Sequence, residues 1–395
     1  MSFDESIKKI ELVLSCNGLT IRSRYNNVRT RWKNRFLFIF NMIWFNSEAI
    51  CGVAWMVLRL NEGGTIAEVT YMAPCALFTL LSVLKALLFI YYEDNICDLV
   101  ASLRKLDIKY NNKSISSEDI DFLHFTLKLS KILNAMLCVV FSWSTLVVSC
   151  IFYIKDGVFD VIFPLKVEYP FSFDHNDARL WPFVYIHQFW SVCLVIFIII
   201  GTDYLLYVCC TYIKVQYRLL AEHFQRTINE NCHSRENIFD ESCIPLIKWH
   251  QSLIELVDNL EFVYTRSFLC NFLSSSMLIC LTGFNVVSMK NAEVTFMFLV
   301  FLSCNLAQIF LLCYFGDLVM KSSMEVGSSI YNSRWYKMDA KSVKSLLIIH
   351  LRSLKPCKLT AFGFFDVNLK SFMSIMSTSW SYFALLKTVA TPTKT

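Results

Sequence analysis

Charged residues are scarce in this chain of 395 residues, because Asp, Glu, Lys and Arg together make up only 17% of it. Apolar residues make up 55% and aromatic residues 15%, which is too apolar for an ordinary soluble protein of this length. The composition therefore excludes a water-soluble globular fold and indicates a protein that crosses a membrane several times. The net charge of +5 is divided between two sides of a bilayer, so it gives no reason to expect nucleic acid as a partner.

Patterns typical of catalysis or metal binding are also lacking. The 16 cysteines lie mostly inside apolar runs, where cysteine behaves as a small hydrophobic residue, and no Cys/His spacing resembles a zinc site. The sequence contains no His-rich metal box, no paired intramembrane carboxylates and no nucleophile elbow. We therefore expect no enzyme activity, no metal and no cofactor. Segment 1–35 is polar and basic, so we also expect no cleaved signal peptide.

Seven stretches are long and apolar enough to cross a bilayer, since about 20 such residues cover about 30 Å of hydrocarbon. They are Phe36–Leu58, Ala67–Tyr92, Ile132–Tyr153, Pro182–Tyr212, Phe268–Ser288, Val294–Val319 and Phe372–Leu386. Lys and Arg show a roughly four-fold excess on one side of this topology, and loops rich in them stay in the cytoplasm. The sequence therefore predicts an all-α membrane protein with a cytoplasmic N-terminus and an extracellular C-terminus.

This topology divides the chain into six parts. They are a cytoplasmic N-terminal segment (1–35), spans one to four (36–212), a cytoplasmic helical loop (213–267), spans five and six (268–319), a second cytoplasmic helical loop (320–371), and span seven with a short extracellular tail (372–395).

Two helices are predicted in the cytoplasmic loops. The first has apolar residues at helical spacing, namely Ile247, Leu253, Leu256, Val257, Leu260 and Val263. The second begins near Ser342 and stops at Lys355-Pro356, because the residue before a proline disfavours the helix. These patterns predict that spans four to seven continue into the cytoplasm as a packed anchor bundle. A helix that lies on the lipid surface is the alternative.

The stretch 329–387 resembles the C-terminal signature of insect odorant receptors. The elements that carry the resemblance are, in order, Tyr331-Asn332 with Trp335, Lys355-Pro356, Leu359-Thr360-Ala361 with Gly363, Ser371-Phe372, Ser381-Tyr382-Phe383, and Leu385-Leu386. A weaker match, WHQSLIELVDNLE from Trp249 to Glu261, precedes span five.

The resemblance implies an odorant-gated, non-selective channel for monovalent and divalent cations in the plasma membrane of olfactory sensory neurons. It also implies a heterotetramer, in which a variable odorant-tuning subunit joins a shared co-receptor in the membrane lipid. The tail LLKTVATPTKT is similar to that of the tuning type.

Span seven carries closely spaced hydroxyl groups, and the resemblance gives this span the role of lining the pore. The predicted pore residues are Ser374, Thr378, Ser381, Leu385 and Leu386, with the two leucines closing the pore near its outer end by dewetting. From the residues alone, an alternative stays open, in which the hydroxyls satisfy the helix backbone or pack at a helix interface. Lys387 would place positive charge at the mouth, so we expect Lys387→Glu to raise divalent-cation permeability.

A volatile ligand calls for an enclosed apolar cavity with few polar groups, and the resemblance places it among spans two, three, four and six. The predicted ligand-binding residues are Tyr71, Met72, Phe78, Trp143, Val147, Cys150, Tyr185, Gln188, Phe189, Phe296, Met297 and Val300. The polar tips of Tyr71, Tyr185 and Gln188 are positioned to hydrogen-bond an alcohol, ester or carbonyl group. Ordinary helix packing is the alternative for each aromatic residue.

Two charged residues stand inside apolar runs, Lys85 in span two and Asp203 in span four. Intramembrane ionisable groups usually pair or face water, so an ion pair is one interpretation. Snorkelling of the lysine to the headgroups is the interpretation that the sequence favours.

Two other functions stay open at this point. A gustatory receptor of the same superfamily would share the topology, although SWSYFALLKT lacks the Gln-Phe pair typical of its last span. A non-channel transporter is the second alternative, although the sequence shows no internal repeat.

Overall fold

The computed structural model describes residues 3–21, 28–110, 117–156, 165, 167, 181–231, 236–289 and 291–390, which are almost entirely helical. The helices are α1 (Phe3–Ser15), α2 (Val28–Asn61), α3 (Ile66–Val69), α4 (Ala73–Tyr91), α5 (Glu93–Tyr110), α6 (Ser117–Asp156), α7 (Trp181–Asn231), α8 (Glu236–Ser288), α9 (Ala292–Tyr331), α10 (Ala340–Leu354) and α11 (Leu369–Ala390). A 3-10 helix, Trp335–Lys337, follows α9. A hairpin of β1 (Thr360–Ala361) and β2 (Phe365–Asp366) joins α10 to α11.

Six helical segments of the described residues are long and apolar enough to cross a bilayer. They contain or overlap the first six predicted spans, so the prediction of a multi-pass helical membrane protein is confirmed. The seventh predicted span lies in α11, whose 22 residues reach about 33 Å at a rise of about 1.5 Å per residue. That length is sufficient for one crossing.

The predicted span two agrees with the apolar segment Ile66–Tyr91, but the segment is not one continuous helix, because it is interrupted between Val69 and Ala73. Thr65 caps the one-turn helix α3 through a capping box with Glu68, which satisfies its first backbone donors. Pro74 stands in the first turn of α4, where a missing N–H has no helical partner to lose.

Three helices are far longer than the hydrocarbon is thick, since α7 has 51 residues, α8 has 53 and α9 has 40. At about 1.5 Å per residue α8 alone measures about 80 Å. The parts of α7, α8 and α9 that are remote from Trp181, Ser288 and Ala292 pack with α10 into what we call the distal bundle. Its buried residues include Leu220, Phe224, Trp249, Leu253, Leu256, Val326, Ile330, Leu346 and Ile349.

The distal bundle decides between the two interpretations of the amphipathic pattern in segment 247–263. Leu253, Leu256, Val257, Leu260 and Val263 are all buried inside the protein. A lipid-surface helix is therefore wrong for this segment. The predicted end of the second helix before Pro356 is confirmed, because α10 ends at Leu354.

Segment 1–35 contains a helix that the sequence analysis did not assign. Phe3, Ile7, Ile10 and Leu14 recur on one face of α1 and are buried. This face lies along α7, where a Cβ atom on Gly201 would stand 2.5 Å from Cδ2 of Leu14. The glycine therefore lets the two helices approach closely, and α1 covers one side of α7.

Candidate functional site

The C-terminal signature builds the hairpin that precedes α11. Phe362 and Gly363 occupy the left-handed region at φ 55° and 75°, which is readily adopted by glycine. Oγ1 of Thr265 in α8 donates to the Thr360 carbonyl at 3.0 Å and accepts from the Phe362 N–H at 2.7 Å. The Thr360 hydroxyl also hydrogen-bonds the carboxylate of Glu261. The hairpin is therefore fixed to α8 by its own backbone.

A second contact fixes the hairpin to α9. A Cβ atom on Gly316 would stand 2.3 Å from the backbone oxygen of Val367, so only glycine allows this approach. Asn368 then accepts from the Ser371 N–H at 2.9 Å, which caps the start of α11. These contacts hold the first turn of α11 against both α8 and α9.

Four of the five predicted pore residues share one face of α11. At about 100° per residue, Ser374, Thr378, Ser381 and Leu385 fall within about 60° of each other around the helix axis. All four are exposed in the single chain. The hydroxyls of Thr378 and Ser381 donate to the carbonyls of the residues four positions earlier, at 2.9 and 3.1 Å. The backbone-satisfying role that the sequence left open is therefore present on the exposed face itself.

Leu386 and Lys387 lie elsewhere on the helix. Leu386 is half-buried on the side that also contains the buried Ser379 and Phe383, whose ring lies 3.7 Å from the Cβ position of Gly283 in α8. Lys387 is turned by about 150° from the centre of the face formed by Ser374, Thr378, Ser381 and Leu385. This geometry removes the reason for expecting Lys387→Glu to change divalent permeability.

Among the described residues, two small cavities lie near the predicted ligand-binding residues. The first, which we call the apolar cavity, encloses about 50 Å³ and is bounded mainly by α4, α7 and Phe45 and Glu48 of α2. The second, which we call the polar cavity, encloses about 30 Å³ between α6, α7 and α9. Phe78, Leu137 and Phe301 line both cavities. The rings of Phe78 and Phe301 meet edge to face at 5.3 Å, so they form the partition.

The predicted ligand-binding residues are only partly brought to these cavities. Phe78 lines both, whereas Tyr71, Met72 and Met297 are buried in the apolar cluster beside them and Val300 packs against that cluster. Tyr185 is half-buried, and Phe189 and Phe296 are exposed on the surface of the single chain. The side chains of Trp143, Val147 and Cys150 lie outside the part of the chain that is described.

Gln188 has a different role from the predicted one. Its side chain is fully buried, where Oε1 accepts from the Leu165 N–H at 3.1 Å and Nε2 donates to the Leu165 carbonyl at 3.3 Å. Both polar ends of the amide are thus engaged with one backbone residue. Gln188 therefore holds Leu165 at the wall of the apolar cavity.

The sequence analysis missed Phe298 and Phe301, which are buried where Phe296 is exposed. The ring of Phe298 contacts that of Tyr71 at 5.4 Å. Side chains two positions apart on a helix point about 200° apart around its axis. Predicting which residue of α9 is buried therefore requires knowing which side of the helix faces the core. Asn305, also buried, lies on the same face and was the available polar marker of that side.

Lys85 and Asp203 form a buried ion pair, so the preference for snorkelling is wrong. Nζ of Lys85 lies 2.6 Å from Oδ1 of Asp203, and the two side chains are 0% and 6% exposed. Nε2 of Gln308 donates to the other carboxylate oxygen at 2.9 Å. The three residues join α4, α7 and α9 beside the polar cavity.

A second buried acid was not considered in the sequence analysis. Oε2 of Glu48 in α2 lies 2.9 Å from Nδ1 of His187 in α7, and Nε2 of the same imidazole hydrogen-bonds the Ser47 hydroxyl at 3.1 Å. Glu48 lines the apolar cavity, so the wall of the cavity includes a carboxyl group. Among the described residues, no group of three His, Cys, Asp or Glu is placed to hold a metal ion.

Comparisons with known proteins agree on one family. A family model described as 7tm Odorant receptor matches residues 65–380. Putative odorant receptor 92a of Drosophila melanogaster is 24% identical over 371 residues, covering 92% of this chain and 89% of the relative. Odorant receptor 67c of the same species is 25% identical over 354 residues, covering 87% and 85%.

The fold has a solved counterpart. The insect olfactory receptor OR5 from Machilis hrabei in complex with eugenol superposes with a TM-score of 0.79 and covers 98% of both chains. Its sequence identity to this chain is 16%. The similarity therefore extends over the whole helical arrangement.

Proposed function

This chain belongs to the insect odorant receptor family, and from that premise we propose that it is the odorant-tuning subunit of a ligand-gated, non-selective cation channel. The channel assembles with a shared co-receptor as a heterotetramer in the plasma membrane of olfactory sensory neurons. The N-terminus and the distal bundle are cytoplasmic, and the end of α11 is extracellular, in keeping with the distribution of Lys and Arg.

The two-sided character of α11 carries the channel proposal. One side is held by α8, α9 and the hairpin, while Ser374, Thr378, Ser381 and Leu385 remain exposed on the other. Hydroxyls are tolerated in a membrane where they face water or another helix. Four such helices around an axis enclose a moderately polar lumen, into which each subunit turns this face.

Leu385 closes the lumen when no ligand is bound. It stands on the same face as the three hydroxyl residues and near the extracellular end, where an apolar ring excludes water and ions. Leu386 packs within its own subunit, and Lys387 points away from the axis. We therefore assign the gate to Leu385, and the face that carries it has no positive side chain at the constriction.

The ligand is a small volatile molecule held at the apolar cavity. The solved OR5 structure from Machilis hrabei is a complex with eugenol, and this chain offers an apolar cavity bordered by Phe78 and Phe301. The apolar cluster beside that site contains Tyr71, Met72, Met297 and the newly identified Phe298, with Val300 packed against it. At about 50 Å³ the cavity is small, so ligand entry requires the surrounding side chains to move apart.

The direct test is to record currents from cells that express this chain with an odorant co-receptor while volatiles are applied. We expect cation current with at least one volatile. Leu385→Ala should raise the current without ligand several-fold, whereas the matched Leu386→Ala should leave the unliganded current near the wild-type value. Equal leak from both variants at equal surface expression would contradict the assignment of the gate, and no current with any volatile would contradict the channel proposal.

A further inference from the structure

The polar cavity is lined by side chains that have hydrogen-bond partners for some of their polar atoms and not for others. Three of them are amides, Asn134 on α6 and Asn305 and Gln308 on α9. A buried polar group needs a partner, because an unmade hydrogen bond in the membrane interior costs the desolvation of that group. The kind of ligand group that the cavity can bind therefore depends on which lining atoms already have hydrogen-bond partners.

The nitrogen atoms of all three amides are engaged with the protein. Nδ2 of Asn134 donates to the Ser130 carbonyl at 2.8 Å, and Nδ2 of Asn305 donates to the Phe301 carbonyl at 2.9 Å. Nε2 of Gln308 donates to the Asp203 carboxylate at 2.9 Å. Since the oxygen and nitrogen of an amide point in different directions, these bonds turn the three carbonyl oxygens away from the donated side.

The other donors around the cavity are also engaged. The Tyr204 hydroxyl donates to the backbone carbonyl of Leu127 at 3.1 Å, and the Tyr207 hydroxyl donates to the backbone carbonyl of Gln308 at 3.4 Å. The Ser130 hydroxyl hydrogen-bonds Tyr204. Within the described part of the chain, none of the three side-chain amide oxygens accepts a hydrogen bond from the protein. One N–H each of Asn305 and Gln308 is left over, so three free acceptors face two free amide donors and the cavity has acceptors in excess.

Charge decides which kind of donor the cavity takes. The Asp203 carboxylate is neutralised by Lys85 at 2.6 Å, and both side chains are buried. A cationic ammonium group would enter without a counter-ion of its own, at a large desolvation cost. A neutral O–H group has no such cost and supplies the missing donor.

The dimensions fit a hydroxyl and the carbon that bears it. One water-sized group needs about 10–15 Å³ of such volume, so the 30 Å³ of the polar cavity accommodates about two. The apolar cavity lies on the other side of Phe78 and Phe301. A ligand that spans this partition has its apolar body in one cavity and its polar end in the other.

We propose that the polar cavity is a subsite for the hydroxyl group of a small alcohol or phenol, which donates to one of the side-chain amide oxygens of Asn134, Asn305 and Gln308. The subsite deepens the proposed odorant-binding function and depends on it. It selects hydroxyl donors over ethers and esters, which bring only acceptors to a site that already has them in excess.

The test uses isomers that differ only in the donor, namely 1-hexanol against 1-methoxypentane and 2-phenylethanol against benzyl methyl ether. Binding of each to the purified full-length chain is measured by calorimetry, and activation is measured as current with the co-receptor. In the better-binding pair, we expect the alcohol to bind at least about tenfold more tightly than its ether, because the site was built to pair with an O–H group. Asn134→Leu and Asn305→Leu should each reduce this ratio about threefold or more, and the double variant should bring it close to one.

Val139→Leu is the matched control on α6, because Val139 lies on the exposed face of that helix, and its ratio should equal that of the wild type. Equal binding of both isomers by the wild type overturns the subsite while leaving odorant binding intact, even where an asparagine variant does not fold. A preference for alcohols that survives in the double variant also overturns the subsite. Binding of no volatile from a panel that spans the common functional groups overturns the proposed function itself.

Discussion

Helices α7 and α11 are both apolar enough to appear as membrane spans in the sequence, yet the fold gives them opposite surroundings. α7 is covered by α1, α2, α4, α5, α6, α8 and α9, and most of its residues from 193 to 221 are buried. Of the described residues of α11, only Ser379 is buried. A helix that is apolar on all sides belongs in a core, whereas α11 is held on one side and open on the other. The first helix completes its packing within one chain, and the second leaves an open side that the proposed assembly would cover.

The largest expected loss of stability comes from breaking the ion pair that Asp203 of α7 forms with Lys85. Loss of one partner leaves a buried, uncompensated charge next to α7, which costs about 3–5 kcal/mol. Lys85→Met should therefore reduce surface expression sharply and lower the unfolding temperature of the purified chain. Lys85→Met with Asp203→Leu should recover most of the loss, because replacing both partners by apolar residues removes the unpaired charge.

The exposed pair Arg59–Glu62 at 2.8 Å is the control for this experiment. Arg59→Met should cost less than about 1 kcal/mol, as surface pairs do. A double variant at Lys85 and Asp203 that unfolds as readily as the single one would show that the pair does not act as a unit.

Leucine truncation compares the two helices directly. Leu206 in α7 is 1% exposed and Leu385 in α11 is 62% exposed. Leu206→Ala should cost about 2–5 kcal/mol through lost burial and a residual cavity. Leu385→Ala should change the stability of the single chain by less than about 0.5 kcal/mol. Thermal unfolding of the purified single chain, followed by tryptophan fluorescence, measures both, and comparable losses would refute the asymmetry.

The fold was more accessible to sequence analysis than the site was, and the reasons are physical. Span positions follow from length and apolarity, which act locally. The phase of a span such as α9 is harder to read when apolar residues occupy every side, which is why Phe296 was selected and Phe298 and Phe301 were not. The pairing of Lys85 with Asp203 joins residues 118 positions apart, and no local pattern encodes such a contact. The helix α1, by contrast, was readable from Ile7, Ile10 and Leu14.

The packed side of α11 is tested by enlarging its one buried residue. Ser379 is 1% exposed and donates to the Ile375 carbonyl at 2.7 Å. Ser379→Leu should cost about 1–3 kcal/mol by overpacking, as measured by the unfolding temperature. Thr378→Val, on the adjacent exposed side, is the matched variant and should leave the stability of the single chain nearly unchanged. If Ser379→Leu were equally harmless, the packed side of α11 would have to be reassigned.

The smallest expected effect on stability comes from lowering the pH, and it arises at the end of α7 that lies in the distal bundle. His250 of α8 packs edge to face on Tyr217 of α7 with ring centroids 6.4 Å apart, and it lies about 57 Å along α8 from Ser288, beyond the hydrocarbon. Burial, and then the positive charge of Arg352, lower the pKa of His250 from 6.5 to about 4. Between these two pH values the unfolded chain binds a proton at His250 and the folded chain does not. The contribution of His250 to the free energy of unfolding is therefore complete above about pH 6.5 and is lost as the pH falls toward about 4.

Between about pH 7 and about pH 5.5 this linkage should cost about 1 kcal/mol. The measurement is the unfolding temperature of the purified chain as a function of pH, with His250→Gln as the variant that removes the titration. The wild type should lose stability over this range relative to His250→Gln, while the fluorescence of Trp380 on the open side of α11 stays constant. Parallel pH profiles for the two proteins would assign the acid sensitivity to other groups, and a simultaneous change at Trp380 would show that the two helices are coupled more tightly than their separate packing implies.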